Sequence, residues 1–196
     1  MTKTLTRTQA FTRGVHHLAL NTDDMKRTVD FYVEVLGMPL VHAMKVPPGL
    51  GKGPKNRGNP PYENIRHYFF DMGNDSLLAF FEIPKGAEPK GNRNAIGSMQ
   101  HCAFVVTPER LRDIEERLKR NGIDYIGPLP QLPGLVGIYF IDPNGIRLEF
   151  ACQPEDGASQ QVLECITQTR EEVRRELETL PGATPEWIER RIAAAK

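Results

Sequence analysis

Three shortages narrow what this 196-residue chain can be. It has no charge excess: Lys plus Arg and Asp plus Glu both number 25, for a formal net charge of +0. No net field therefore draws it to nucleic acid or to an anionic membrane, and no basic block supplies a local substitute. It has no apolar run near the ~20 residues that cross a bilayer, and residues 1–13 are polar, with Thr and Arg, so a soluble, cytoplasmic protein is the expectation. It has little cysteine: Cys102, Cys152 and Cys165 are odd in number and fit no metal-knuckle spacing. Reduced thiols packed as small apolar residues are predicted.

What is present is a repeated order of elements. Residues 14–21 predict a strand, and Thr22, Asp23 and Asp24 offer capping oxygens for a helix. Met25, Val29, Tyr32, Val33 and Leu36 recur at helical spacing until Gly37 and Pro39 end the pattern. A strand over 40–46 follows. Residues 47–64, rich in Pro, Gly and Asn, predict a long loop, either one able to close over a cavity mouth or a disordered connector. Strands at 65–71 and 77–83 are joined by Met72, Gly73, Asn74 and Asp75, which have hairpin-turn chemistry. The same order recurs: a strand over 99–106, a capped helix over 108–121 ended by Gly122, then strands near Tyr125, at 137–141 and at 146–151.

Two copies of one βαβββ unit are thus expected, the first over 14–84 and the second over 98–154. The fold class is α+β. Residues 157–196 change character: Val162, Ile166, Val173 and Leu177, then Trp187, Ile188 and Ile192, mark amphipathic helices interrupted by Pro181 and Gly182. This helical tail is expected to pack on the domain or on a partner subunit.

Strand alternation sorts the polar residues of each unit onto one face. His17, Ala19 and Asn21 oppose Leu18 and Leu20; His101, Ala103 and Val105 oppose Cys102 and Phe104; Arg147 and Glu149 oppose Leu148 and Phe150. Each potential ligand points away from the side a helix would cover. Two imidazoles and one carboxylate on rigid strands are a donor set for a divalent metal. Singly, each is an ordinary polar residue on a half-solvated sheet; at equivalent places in two copies, they favour a metal site. His16 must point the opposite way from His17, His42 receives no role, and His67 is either a structural strand residue or an acid or base near the site.

Val15, His16, His17, Leu18, Ala19 and Leu20, with Phe31-Tyr32, Val35-Leu36-Gly37, Gln100-His101 and the run from Asp142 to Phe150, resemble the vicinal oxygen chelate superfamily. That group includes glyoxalase I, fosfomycin and bleomycin resistance proteins, methylmalonyl-CoA epimerase and extradiol dioxygenases. The resemblance implies paired βαβββ modules forming a U-shaped cavity, with a metal that chelates adjacent substrate oxygens. His17, His101 and Glu149 match three ligand positions. The fourth ligand of the glyoxalase and epimerase branches falls on Ala79.

Three protein ligands leave coordination positions open, as iron(II) oxygenases require. The resemblance therefore implies a metal-dependent enzyme, an Fe(II) extradiol-type ring-cleaving dioxygenase acting on a catechol-like vicinal diol or enolate. Tyr139 matches the tyrosine of the extradiol signature and would hydrogen-bond a bound oxygen, or else it only fills the barrel as a strand aromatic. The histidines of that branch are missing, with Pro130 near one place and Asn74 or Asp75 near the other, so its usual acid and base are not visible and His67 is the candidate substitute. Two alternatives stay open: a glyoxalase-, epimerase- or lyase-type enzyme using Mn, Zn, Ni or Co as Lewis acid, and a non-catalytic small-molecule-binding resistance protein. Retention of His17, His101 and Glu149 argues against the last. A homodimer is expected.

Overall fold

The first sheet is built by β1 (His17–Thr22), β2 (Leu40–Lys45), β3 (Arg66–Gly73) and β4 (Ser76–Glu82), in the spatial order β1-β4-β3-β2. β1 and β4 run parallel, and the other pairs are antiparallel. The second sheet repeats this plan with β5 (Cys102–Val105), β6 (Tyr125–Pro130), β7 (Val136–Ile141) and β8 (Arg147–Cys152), in the order β5-β8-β7-β6. A parallel pair needs a crossover, so each first strand is followed by a helix. These are α1 (Met25–Asp30) and α2 (Pro108–Arg120). This computed structural model describes residues 12, 14–50, 60, 62–131, 134–153, 162 and 166–192; Cys165 and most of the predicted 47–64 loop lie outside them.

Local chemistry sets the element ends. The Asp24 carboxylate accepts the Arg27 amide at 2.9 Å and caps α1. The Thr107 hydroxyl accepts the Arg110 amide at 3.2 Å, with Pro108 in the first turn of α2. The spacing predicts one α-helix through Leu36. Instead the chain widens into a π-helical turn over Phe31–Val35, where the Leu36 amide donates to the Phe31 carbonyl at 3.1 Å. The wider turn keeps Phe31, Tyr32 and Val35 all buried. Asn74 and Asp75 have φ of 52° and 57°, the left-handed pair that a two-residue hairpin between β3 and β4 requires.

Each sheet covers one face with its helix. Phe70, Leu78 and Phe80 of the first sheet and Ile138 and Leu148 of the second have no exposed surface, and Tyr32 and Leu118 join them from the helices. Burial of each such side chain contributes about 1.5–3 kcal/mol. The two halves share this core, with the Phe31 ring 6.4 Å from that of Phe140. A polar link adds direction. The buried Tyr32 hydroxyl donates to Asp142 Oδ2 at 3.0 Å, and Asp142 Oδ1 accepts the amides of Asn144 at 2.9 Å and Ile146 at 2.7 Å. The Asp142-Pro143-Asn144-Gly145 turn between β7 and β8 is thereby tied to the first half of the chain. Burial pushes the Asp142 carboxyl up, and burial beside Asp142 pushes the Tyr32 hydroxyl well above the usual phenol range, so Tyr32 stays the donor.

The tail forms α3 (Arg170–Leu177), opened by a capping box between Thr169 and Glu172, and α4 (Pro185–Ile192). Arg174 pairs with Glu189 across them. Ile188 and Ile192 are buried, while no residue of α3 is. No helix among the described residues is long and apolar enough to cross a membrane.

Candidate metal centre

The faces turned away from the helices carry the polar residues. On the second sheet, strand pairing aligns Ala103, Glu149, Tyr139 and Ile126 in one row. His101 sits one residue before β5 rather than inside the predicted 99–106 strand, because pairing with β8 begins at Cys102 opposite Leu148. From there its Nε2 lies 3.1 Å from Glu149 Oε2. The Gln100 side chain is hydrogen-bonded to His101 Nδ1, which holds the ring and leaves Nε2 facing the carboxylate.

Several features fix Glu149. It is buried, with 7 % of its surface exposed. Burial, together with the nearby Glu149 carboxylate, pushes the Tyr139 hydroxyl up to about 12. Tyr139 is thus a proton donor at neutral pH. The Arg147 guanidinium lies over the Tyr139 ring, 4.4 Å from its centre, and the His101 ring approaches the same tyrosine edge-on at 5.9 Å. Gly137 completes the nest: a Cβ there would stand 2.6 Å from Glu149 Oε1. Sequence reasoning passed over Gly137 and gave Arg147 no role. The available signals were a glycine inside a strand, two residues before Tyr139, and an arginine two residues before Glu149 on the same face.

On the first sheet the matching row is Ala19, Ala79 and Phe69. Ala79 therefore stands where Glu149 stands in the second sheet, in agreement with the sequence repeat. His17 is exposed on this face, 2.9 Å from His16 between Nδ1 atoms and edge-on to Phe69 at 5.9 Å. His42 and His67 flank the same phenylalanine, at 5.6 and 4.3 Å between ring centres. His67 also stacks on Phe81 at 3.7 Å. Burial, with smaller contributions from His17 and His42, holds His67 down at about 4. Its ring is neutral at pH 7, and its Nε2 is buried without a hydrogen-bond partner.

The donor set fits a divalent metal in part within one chain. Nitrogen and oxygen ligands about 2.1 Å from one ion and roughly at right angles stand about 3 Å apart, which is the His101–Glu149 separation of 3.1 Å. The second-sheet pair therefore fits two adjacent coordination positions. His17 does not join it: among the described residues, no three His, Cys, Asp or Glu side chains gather closely enough to hold a metal ion.

Comparison with known proteins places this geometry in context. Residues 14–150 match the family model described as Glyoxalase/Bleomycin resistance protein/Dioxygenase superfamily. A protein of Bacillus subtilis (strain 168) named "Putative ring-cleaving dioxygenase MhqA" is 29% identical over 145 residues, covering 72% of this chain and 41% of that protein. The chain thus spans less than half the length of this curated relative. Among solved structures, a glyoxalase/dioxygenase from Nostoc punctiforme is similar with a TM-score of 0.53 and 27% identity, covering 73% of this chain and 92% of that one. A glyoxylase/bleomycin resistance protein/dioxygenase domain from Frankia sp. EAN1pec has a TM-score of 0.56 at 21% identity, covering 72% and 98%. The latter shares the fold.

Proposed function

The chain belongs to the Glyoxalase/Bleomycin resistance protein/Dioxygenase superfamily, and from that premise we propose that it is a metal-dependent enzyme, an iron(II) extradiol-type dioxygenase cleaving a catechol-like vicinal diol. The observation that carries this reading is the His101–Glu149 pair, 3.1 Å apart beside Tyr139, with an alanine in the matching place on the other sheet. Three protein ligands rather than four leave room for two substrate oxygens and a further small molecule. The name of the Bacillus relative agrees with this choice.

His101 and Glu149 would hold the metal, and His17 of a second copy would complete the set. A homodimer follows from this proposal. His17 stands exposed on one open sheet face, while the open face around Glu149 exposes Val105, Ile126 and Ile141, apolar surface that a second copy would cover. When bound, the metal supplies Lewis-acid chelation of the two adjacent oxygens and, as iron(II), the redox chemistry of ring cleavage.

The chain supplies the rest. Tyr139, protonated at neutral pH, donates its hydroxyl hydrogen to a substrate oxygen seated beside Glu149. His67, held at about 4 by burial and with its Nε2 enclosed, stays neutral beside the ring instead of acting as the base, and the proton released when the diol binds as its anion passes to water. Phe69 and Phe81, which flank the His67 ring, form a wall against which a planar ring can lie.

The test is elemental analysis of anaerobically purified protein, followed by oxygen uptake with catechol after loading with Fe(II) or with Mn, Zn, Ni or Co. Iron at one ion per site with oxygen consumed in step with catechol is the expected result. Metal retention without oxygen uptake from any catechol would overturn the dioxygenase reading in favour of Lewis-acid isomerase or lyase chemistry.

A further inference from the structure

A cleft of about 700 Å³ lies between the end of β1, the connection from β4 to β5 and the β7–β8 turn. That volume suits a single-ring ligand. Its wall carries three cations, Lys90, Arg93 and Arg147, and none of them forms an ion pair among the described residues. The two carboxylates in the wall are engaged: Asp23 by Arg27 at 3.1 Å, and Glu88 by the Tyr62 hydroxyl at 2.7 Å. Unpaired cations of this kind around a cleft favour an anionic guest.

Arg147 connects the cleft to the donor pair. It lies on β8 two residues before Glu149 and on the same face, about 7 Å along the strand. Its guanidinium rests on the Tyr139 ring, which fixes its plane while the N–H edges remain free for a carboxylate in the two-pronged arrangement that arginine favours. Met99, two residues before His101, also lines the cleft, so the cleft wall includes one residue two positions from each of the two candidate ligands.

We propose that Arg147, with Lys90 and Arg93, forms an anion subsite, and that the substrate is an aromatic vicinal diol bearing a carboxylate on the ring. This inference rests on the functional reading given above for the diol half of the ligand. The carboxylate half stands on the cleft alone.

Calorimetric binding of three probes separates the two. Benzoate carries only the anion, catechol only the diol, and 3,4-dihydroxybenzoate both. The metal-loaded wild-type chain is expected to bind 3,4-dihydroxybenzoate at least tenfold more tightly than catechol, and the metal-free chain is expected to bind benzoate. In the combined Lys90→Gln and Arg93→Gln variant, the preference falls at least threefold while catechol affinity and metal content hold, and adding Arg147→Gln brings the preference to within twofold. Arg147→Lys, a gentler change, retains charge and keeps part of the preference. In the wild type the preference shrinks as salt is raised. Equal binding of catechol and its carboxylate by the wild type, or a tenfold preference surviving in the triple variant, would overturn the subsite. Benzoate binding without any metal-dependent gain for the diols would instead overturn the metal-centre reading and leave the subsite standing.

Discussion

The two sheets share one plan and divide the labour. Their helix-facing sides are alike, with Leu78 and Phe80 on one and Leu148 and Phe150 on the other, all buried. Their open faces differ in kind. The second sheet sets Glu149 between Ala103 and Tyr139, with His101 at hydrogen-bonding distance and Arg147 over the tyrosine. The first sheet puts Ala79 between Ala19 and Phe69, and surrounds that phenylalanine with His17, His42 and His67. Packing constrains one side of each sheet to remain the same, whereas the open side can diverge because little of its surface is needed by the core. One half thus became a donor set held by hydrogen bonds, and the other an aromatic wall carrying a single exposed candidate ligand.

The difference is broken most severely at Glu149. Glu149→Ala removes the only carboxylate of the set and should lower activity by at least ~10²-fold with loss of bound metal, measured by elemental analysis and turnover. Ala79→Ser, in the matching place, should leave metal content unchanged. Next comes Gly137→Ala. Its methyl group would stand 2.6 Å from Glu149 Oε1, so the carboxylate must move, and metal affinity should weaken roughly 10–100-fold. A competition titration with a chelator reads this directly. Affinity equal to wild type would mean that Glu149 tolerates the displacement and is not held for a ligand role.

Tyr139→Phe should lower kcat by about 10²-fold with metal content intact, since only the hydroxyl donor is lost. The smallest effect belongs to the first sheet. His67 titrates at about 4 instead of its ordinary 6.5, so between those values the unfolded chain takes up a proton that the folded chain refuses. Stability should therefore decline as pH falls from 6.5 towards 4 and level off below. His67→Phe should flatten that decline in denaturant titrations across the same range.

Much of this was legible in the sequence because periodicity and repetition report local order. The two βαβββ runs, the capping residues Asp24 and Thr107, the Asn74-Asp75 turn and the alignment of Ala79 with Glu149 all follow from alternation, spacing and turn chemistry. The π-helical turn at Phe31–Val35 was not, since its apolar spacing also satisfies an α-helix and only tertiary packing selects the wider form. Nor was the separation of His17 from His101 and Glu149. Alternation states which face of a sheet a residue occupies, but not which other sheet that face meets. The packing of Phe31 against Phe140 and the Tyr32–Asp142 link decide how the two halves sit, and they depend on contacts between residues more than a hundred positions apart.

The decisive feature of the proposed centre is that one metal site draws on two copies of the chain. His17→Ala and Glu149→Ala chains, each purified without metal, should be unfolded together, refolded as a mixture and assayed for bound iron. If the site is built across a homodimer, random pairing restores about a quarter of the sites, each using His17 from one chain and His101 with Glu149 from the other. Iron and catechol-dependent oxygen uptake should recover to that fraction. A mixture as empty of iron as either variant alone, while the wild type refolded in the same way regains it fully, would contradict the account.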